Sequence, residues 1–415
     1  MRWEFPDPSD TGETRERERI TAAMDRWWQA FVANKDNLSR AFSKDGQGSF
    51  DVAAFTNENL NPIRDGWCWE YGPAIRKKGH RLVVTPEGEL HLAPMVRELL
   101  RRAPELPDWE FYPGRLPERP ETAFAVAEQI SQFKAAGDVG IRASLGKHRR
   151  VDLKFHIPNA RSDEKGASHW TLRAVEQLLG EETLDHWIGN VEVAPPQSIV
   201  KRLFGGKPAG LVSPERLKPT VDALIAASRD QLPDPPPRVR AQQNRDGVEW
   251  IGYRLEPAEQ EDYPGHDDVF YISTCERELF EAAVSDRVFH SGRFSRTGET
   301  FAYLKIDRGG DESRGVAAID SADARGAIED AVNATLGEHG LGCTTGGGTG
   351  VMYAYVDLAL SDVRGAIPVL RDLLRRRRVH QRAWLLFFEP ELAEEWIGIH
   401  DDTPPPPPRP KEEDP

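Results

Sequence analysis

A run of glycines between residues 346 and 350, Gly-Gly-Gly-Thr-Gly, is the segment whose composition could do chemistry. Consecutive glycines allow several backbone N–H groups to converge on an anion. Phosphate loops of this kind normally lead into a helix, whose first N–H groups complete the site. Here the apolar residues 351–360 follow and predict a strand, so we interpret the glycines as a hairpin tip that permits positive φ, with anion binding as the alternative. The candidate ligand-binding residues in this segment are Thr344, Thr345, Gly346, Gly347, Gly348 and Thr349.

A second candidate is the arginine cluster at residues 375–378, which is followed by His380 and Arg382. The cluster falls at the C-terminal end of a predicted helix, where cations complement the exposed carbonyl groups. This structural role is the favoured interpretation. The alternatives are an acidic or phosphorylated partner, or the acidic tail of the chain itself folding back. Under those alternatives Arg375, Arg376 and Arg378 join the candidate ligand-binding residues.

Two cysteines have a histidine nearby in the sequence and could form a nucleophile and its base. Cys343 follows His339, and Cys275 and His290 flank a predicted helix. Neither pair has a recognisable catalytic signature, so both cysteines are interpreted as small core residues. No catalytic residue is predicted.

Two His-Asp-Asp runs, at residues 266–268 and 400–402, contain side chains that can bind metals. Adjacent residues rarely all face one ion, and both runs lie beside proline, glycine or turn residues. We therefore predict solvated loops there. No metal and no cofactor are predicted.

Composition limits the classes of protein that fit. The 415 residues are 39% hydrophobic and include 11 tryptophans, which predicts a globular chain of more than one domain. A formal net charge of −14 argues against a general nucleic-acid-binding protein. Neither an apolar run long enough to span a membrane nor a signal sequence is present, so we expect a soluble, cytoplasmic protein without membrane contacts. Three cysteines without a CxxC pair do not predict a disulfide framework or structural zinc.

The elements around the glycine run follow a recognisable order. Apolar runs at 301–306, 351–360 and 384–388 predict strands, and amphipathic patterns at 323–336 and 362–376 predict helices. With the glycine run as a turn between the first helix and the run at 351–360, we interpret the order as β-α-β-β-α-β, that of a ferredoxin-like split β-α-β sandwich.

The same order is predicted earlier in the chain, in elements that lie between residues 109 and 193. The offset of about 200 residues between the two sets suggests internal duplication. The fold class we expect is α+β, with two related ferredoxin-like modules, an N-terminal helical extension and a disordered proline-rich tail. The expected boundaries are 1–65 for the extension, packed on the first module; 66–194 for the first module; 195–247 for a linker with one helix; 248–400 for the second module; and 401–415 for the tail.

Residues 69–72 (WEYG), 79–85 (GHRLVVT) and 102–111 (RAPELPDWEF) carry a family resemblance. The region 67–117 resembles a class of uncharacterised bacterial proteins that have a strand, a helix ending in AP-x-LP-x-W and a second strand. The resemblance implies a bacterial, cytoplasmic origin. It implies no catalytic residues and no family function.

The sequence therefore predicts a non-enzymatic binding or regulatory protein. It would act on an unknown protein or small ligand through the sheet or loop surfaces of its two modules, and pairing of sheet edges could make it a homodimer. The first alternative is an enzyme of unrecognised type, with a site near residues 346–350 or in a cleft between modules. The second is an immunity or partner-neutralising protein, whose acidic balance would suit a basic target.

Overall fold

The chain is a mixed α+β protein in the computed structural model, which describes residues 1–43, 46, 48, 50–161, 165–195, 210–232, 249–285 and 288–408. The helices are α1 Thr11–Ala41, α2 Val52–Leu60, α3 Ala93–Arg101, α4 Pro120–Ser131, α5 Lys165–Leu179, α6 Glu181–Trp187, α7 Pro214–Asp230, α8 Arg277–Ser285, α9 Ala322–Glu338 and α10 Val363–Arg376. The strands are β1 Cys68–Pro73, β2 His80–Thr85, β3 Trp109–Tyr112, β4 Gly140–Leu145, β5 Val151–His156, β6 Ile188–Val193, β7 Ile251–Arg254, β8 Val269–Thr274, β9 Thr300–Asp307, β10 Gly342–Gly350, β11 Tyr353–Leu360, β12 Ala383–Phe387 and β13 Ile397–Gly398.

The described chain forms two compact units. Unit 1 contains Met1–Ser144 and Val151–Asp222, and unit 2 contains Leu145–Arg150 and Ala223–Pro415. The proline-rich segment 233–238, where the sequence predicts separable modules, lies outside the described residues. Helix α7, Pro214–Asp230, is the helix that the structure describes between residues 195 and 247.

In unit 1, the long helix α1 packs an aromatic stripe against the first sheet, β1-β2-β3. Asp10 caps the helix by accepting the N–H groups of Gly12 and Glu13. The ring of Phe31 lies 4.9 Å from that of Trp109, and the indole N–H of Trp28 donates to Leu99 O at 2.8 Å. This aromatic core fixes the position of β3, because Trp109 belongs to it.

The second sheet of unit 1, β4-β5-β6, contains only part of the β-α-β-β-α-β set predicted between residues 109 and 193. The first strand of that set, β3, pairs in parallel with β2 instead, through His80 opposite Trp109. The prediction of one ferredoxin-like sheet here is wrong, and the offset of about 200 residues does not mark two copies of one sheet. The aromatic side chains of β3 draw it toward α1, and the order of elements in a sequence does not specify which strands pair.

Unit 2 contains a seven-stranded sheet in the order β13-β12-β9-β11-β10-β8-β7, in which every described pair of neighbours is antiparallel. Helix α9 packs on β10 and against α10. Ser321 and Asp362 cap these two helices through side-chain oxygens. All eight residues of β11 are buried, so the sheet is covered on both faces at its centre.

The glycine run is part of β10, between β8 and β11, and is not a hairpin tip as the sequence predicts. None of residues 346–350 has a positive φ. The glycines are needed for close approach instead: a Cβ at Gly346 would lie 2.7 Å from Ser273 O, and one at Gly347 would lie 2.7 Å from Tyr355 O. The turn falls after Gly350, and β11 begins at Tyr353 rather than at residue 351.

The chain beyond residue 400 is also more structured than predicted. The indole N–H of Trp384 donates to Pro404 O at 2.6 Å, and the backbone N–H of His400 donates to Thr403 Oγ1 at 2.9 Å. The beginning of the predicted disordered tail is therefore attached to the sheet. Residues 409–415 lie outside the described residues.

Candidate functional site

The helix-side face of the glycine strand supports a buried ion pair. Arg325 Nη1 lies 2.8 Å from Glu329 Oε2, on consecutive turns of α9, and both side chains are about nine-tenths buried. A Cβ at Gly347 would lie 2.3 Å from Arg325 Nη1. The missing side chain thus makes room for the ion pair. Because β10 pairs on both sides, an anion could be cradled by its amides only if the strand left the sheet.

The three threonines predicted as ligand-binding residues also belong to β10. Thr344 donates its backbone N–H to Asn333 Oδ1 at 3.0 Å. The carbonyl oxygen of Thr345, at a register shift of the strand, accepts the N–H of Cys275 at 3.0 Å. Thr344 and Thr345 are buried, and Thr349 is partly buried. The described contacts of Thr344 and Thr345 join β10 to its neighbours in the fold.

The opposite face of the sheet contains a fully buried lysine, Lys305. Its ammonium group donates to the carbonyl oxygens of Tyr263 and Gly265, the latter at 3.1 Å, and lies 4.1 Å from the centre of the Tyr353 ring. Burial lowers the pKa of Lys305 to about 8, and the nearby Asp268 opposes that shift. Hydrogen bonds from Lys305 therefore hold the segment 262–268 against the sheet.

Asp268 provides the second set of contacts between segment 262–268 and the sheet, and it is fully buried. One carboxylate oxygen accepts the N–H groups of Met352 at 2.7 Å and Tyr353 at 2.9 Å, and the other accepts the hydroxyl of Tyr355. A Cβ at Gly350 would lie 2.3 Å from this carboxylate, so that glycine too makes room for a charge. The solvated loop predicted at 266–268 is thus wrong for Asp268, because the β10–β11 turn supplies partners for its charge.

His266 and Asp357 meet in the same interior. His266 Nε2 lies 3.5 Å from Asp357 Oδ1, and neither atom has a hydrogen-bond partner among the described residues. The imidazole ring packs 3.8 Å from the ring of Tyr303, and Asp357 is 3% exposed. Asp357 also stands opposite Gly346 in the sheet. A histidine beside a carboxylate is a combination that can transfer protons, although both facing atoms are buried here.

The cysteines and their neighbouring histidines make other contacts. Cys343 is buried in an apolar cluster with Phe289 and Phe301. The ring of His339 is hydrogen-bonded to Thr335 O at 2.9 Å. The thiol of Cys275 lies 3.3 Å from Thr345 O. Cys343 thus lies in apolar surroundings, in which a thiol is inert.

The arginine cluster is partly neutralised by nearby groups. Arg375 donates to Ile399 O at 2.7 Å and to Asp401 at 2.5 Å, and Arg376 pairs with Asp372 at 2.6 Å. Arg378 is exposed and has a positive φ, just after the end of α10. The C-terminal end of the helix therefore carries the predicted cations, with Asp401 bound to one of them.

Unit 1 contains a charged network that sequence reasoning missed. The guanidinium group of Arg115 lies 2.7 Å from Glu176, 3.5 Å from Glu87 and 3.6 Å from Glu70. Burial, together with Glu87, raises the pKa of the Cys68 thiol to about 11. Because its members come from distant parts of the chain, no spacing in the sequence could reveal this network.

The edge of the seven-stranded sheet is the second feature that the sequence did not predict. β7 is the last strand on its side in the described chain. Four large apolar side chains at this edge are 39–41% exposed: Trp250, Leu255, Phe270 and Tyr271. Gly252 lets the Tyr271 ring approach the strand, since a Cβ there would lie 3.1 Å from the phenol oxygen. Alternation of apolar residues from 251 to 255 is the signal that could have predicted β7.

No protein-family model, no curated protein and no solved structure matches this chain. The resemblance of residues 67–117 to bacterial proteins thus stays an expectation. None of the described helices is long and apolar enough to cross a membrane. Within the described part of the chain, no group of three His, Cys, Asp or Glu side chains could hold a metal ion.

Proposed function

We propose that the protein is a binding or regulatory protein whose unit 2 is a ferredoxin-like module that recruits a protein segment by strand addition along β7. The core strand order β12-β9-β11-β10, joined by the crossover helices α9 and α10, supports the ferredoxin-like assignment. The additional strands β7 and β8 extend that core on one side and create the edge.

The exposed apolar edge is the observation that carries this proposal. An edge strand presents unpaired N–H and C=O groups, to which an extended peptide can add as a further strand. Four of the twelve large apolar side chains that are exposed in the described chain lie on β8 or at the ends of β7. Such clustering along the last described strand of the sheet marks an interaction surface better than single exposed apolar residues do.

The direction of the amides along β7 can be assigned. Leu255 N–H donates to Phe270 O at 3.0 Å, across the β7–β8 pairing. Successive amides of a strand point to opposite sides, so the N–H groups of Gly252 and Arg254 point away from β8. These are the groups that an added strand would bind.

A pair of variants at one position tests strand addition. Arg254→Pro removes an outward N–H without breaking the pairing with β8, whereas Arg254→Ala removes the same side chain and keeps the N–H. Peptides would be selected from a random display library on the whole chain. We expect them to slow hydrogen exchange at β7 and to lose at least about tenfold in affinity with Arg254→Pro but not with Arg254→Ala. Peptides that bind without protecting β7, or that bind both variants alike, would refute strand addition.

The second candidate function is an enzyme, and the pairing of His266 with Asp357 opposite Gly346 is the observation that favours it. Both facing atoms of the pair are buried and His266 belongs to segment 262–268, so a substrate could reach the pair only if this segment moved. The amides of Met352 and Tyr353, which donate to Asp268, report that opening by hydrogen exchange. Exchange much faster than global unfolding would favour the enzyme. Exchange at the rate of global unfolding would leave the binding protein as the better account.

A further inference from the structure

We infer that the segment received along β7 is basic as well as extended, an inference that rests on the proposed function. Four exposed glutamates flank β7 in the sequence: Glu249 precedes the strand, and Glu256, Glu259 and Glu261 follow it. Arg254 is the only cationic residue between positions 249 and 261. None of these four glutamates forms an ion pair with another described residue.

Carboxylates that form no ion pair with another described residue, close in the sequence to an edge strand of the described sheet, favour a cationic partner. Each exposed charge pair contributes little alone, but several carboxylates near one strand create a local negative potential that attracts and orients a basic peptide. The aromatic side chains add a second attraction. Trp250 and Tyr271 are exposed beside the edge, and aromatic faces bind lysine and arginine side chains.

A second copy of this chain fits the edge less well. Symmetric pairing of two β7 strands would bring together residues 249–261 of both copies, and each of these segments carries four glutamates and one arginine. Like charges directly opposite each other in a sheet are destabilising. The pattern of charges therefore selects a basic segment of another protein over self-association.

Charge reversal provides the test. Two ten-residue peptides that alternate valine with lysine or with glutamate would be titrated against the whole chain by fluorescence anisotropy. We expect the lysine peptide to bind at least about tenfold more tightly and to weaken as salt is raised. The double variant Glu256→Lys with Glu259→Lys should reverse this preference. A control double variant, Glu18→Lys with Glu338→Lys, makes the same change in net charge elsewhere on the chain. This control should retain the preference for the lysine peptide.

The outcomes separate this inference from the function on which it rests. Equal affinity for the two peptides, or a preference that charge reversal at 256 and 259 leaves unchanged, overturns the basic partner. If β7 is still protected from hydrogen exchange and Arg254→Pro still weakens binding, strand addition remains supported, although the partner is not basic. If neither these nor library peptides protect β7, the proposed function itself fails. Concentration-dependent dimerisation that Arg254→Pro abolishes would make a second copy the occupant and would also overturn the inference.

Discussion

At the scale of single residues, unit 2 places charges where glycine removes a side chain. Gly347 lies under the Arg325–Glu329 pair and Gly350 beside the Asp268 carboxylate. The sequence shows the glycines plainly, but it does not show which groups approach them. Conformational freedom is the usual reason for a glycine run, and here space for buried charges is the reason instead.

Gly347→Ala tests this role of glycine. The new methyl group would lie 2.3 Å from Arg325 Nη1 and 2.7 Å from Tyr355 O, so we expect a loss of about 3 kcal/mol in the free energy of unfolding. Gly326→Ala is the control, because nothing lies within 4 Å of a Cβ there and alanine favours a helix. Urea denaturation measures both. Equal, small effects of the two substitutions would show that β10 has room for side chains.

Lys305 makes the stability of unit 2 depend on pH. Its pKa is lowered to about 8 in the folded chain, from 10.5 in the unfolded chain. As pH falls, the unfolded state takes up the lysine proton near pH 10.5, whereas the folded state takes it up only near pH 8. The contribution of Lys305 to the free energy of unfolding is therefore present above pH 10.5 and lost as pH falls through about 8. The difference between the two pKa values corresponds to about 3 kcal/mol in the free energy of unfolding.

We expect the stability of the wild type, relative to that of Lys305→Met, to rise between pH 8 and pH 10. Denaturant unfolding of both proteins across this range measures the difference. Taking the difference also cancels the effect of Tyr353 and Tyr355, whose pKa values are raised by burial and which therefore oppose stability above pH 10. Parallel curves for the two proteins would mean that Lys305 keeps an ordinary pKa.

At the scale of elements, local patterns predicted what depends on local periodicity. The helix predicted at 323–336 is Ala322–Glu338, and the one predicted at 362–376 is Val363–Arg376. Each has an amphipathic repeat and an N-cap residue, which neighbouring residues determine. The partner of β3 and the central place of β10 depend on contacts between distant residues, and the sequence pattern does not contain them.

The same limit applies to the candidate site. The glycine run and the arginine cluster can be recognised in the sequence by their composition. In the structure the glycine run lies inside a sheet and the arginine cluster at the end of a helix. Lys305 lies inside a predicted strand, and nothing in the sequence around it indicates a buried lysine. Its hydrogen-bond partners lie about 40 residues away in the chain. The edge at β7 was missed because a four-residue strand gives a weak periodic signal.

The segment that follows β13 is an element whose contribution can be measured by truncation. Pro404 O accepts the indole N–H of Trp384, a side chain that is fully buried. We expect a chain that ends at residue 402 to be less stable by about 1 kcal/mol than one that ends at residue 408, since this hydrogen bond is lost. Thermal and urea unfolding of the two truncated chains give the comparison. Identical stability would show that the contact with Trp384 contributes nothing.

At the scale of the whole molecule, the net charge of −14 attracts any basic ligand, whatever surface the ligand finally occupies. Attraction by the whole molecule acts on the association rate, whereas contacts at the binding surface act on dissociation. The two double variants that make the same change in net charge therefore separate these effects. In one, the charges beside β7 are reversed; in the other, charges on α1 and α9 are reversed.

Stopped-flow measurements with the lysine peptide would show both rates. We expect both double variants to lower the association rate, since both reduce the attraction of the whole molecule. Only Glu256→Lys with Glu259→Lys should also raise the dissociation rate, because of the four substituted residues only these two lie close in the sequence to β7. Added salt should lower the association rate of the wild type toward that of the variants, because it screens exposed charges over about 8 Å at physiological ionic strength. Equal dissociation rates for the two double variants would show that the peptide senses the total charge of the protein and not the carboxylates at its edge.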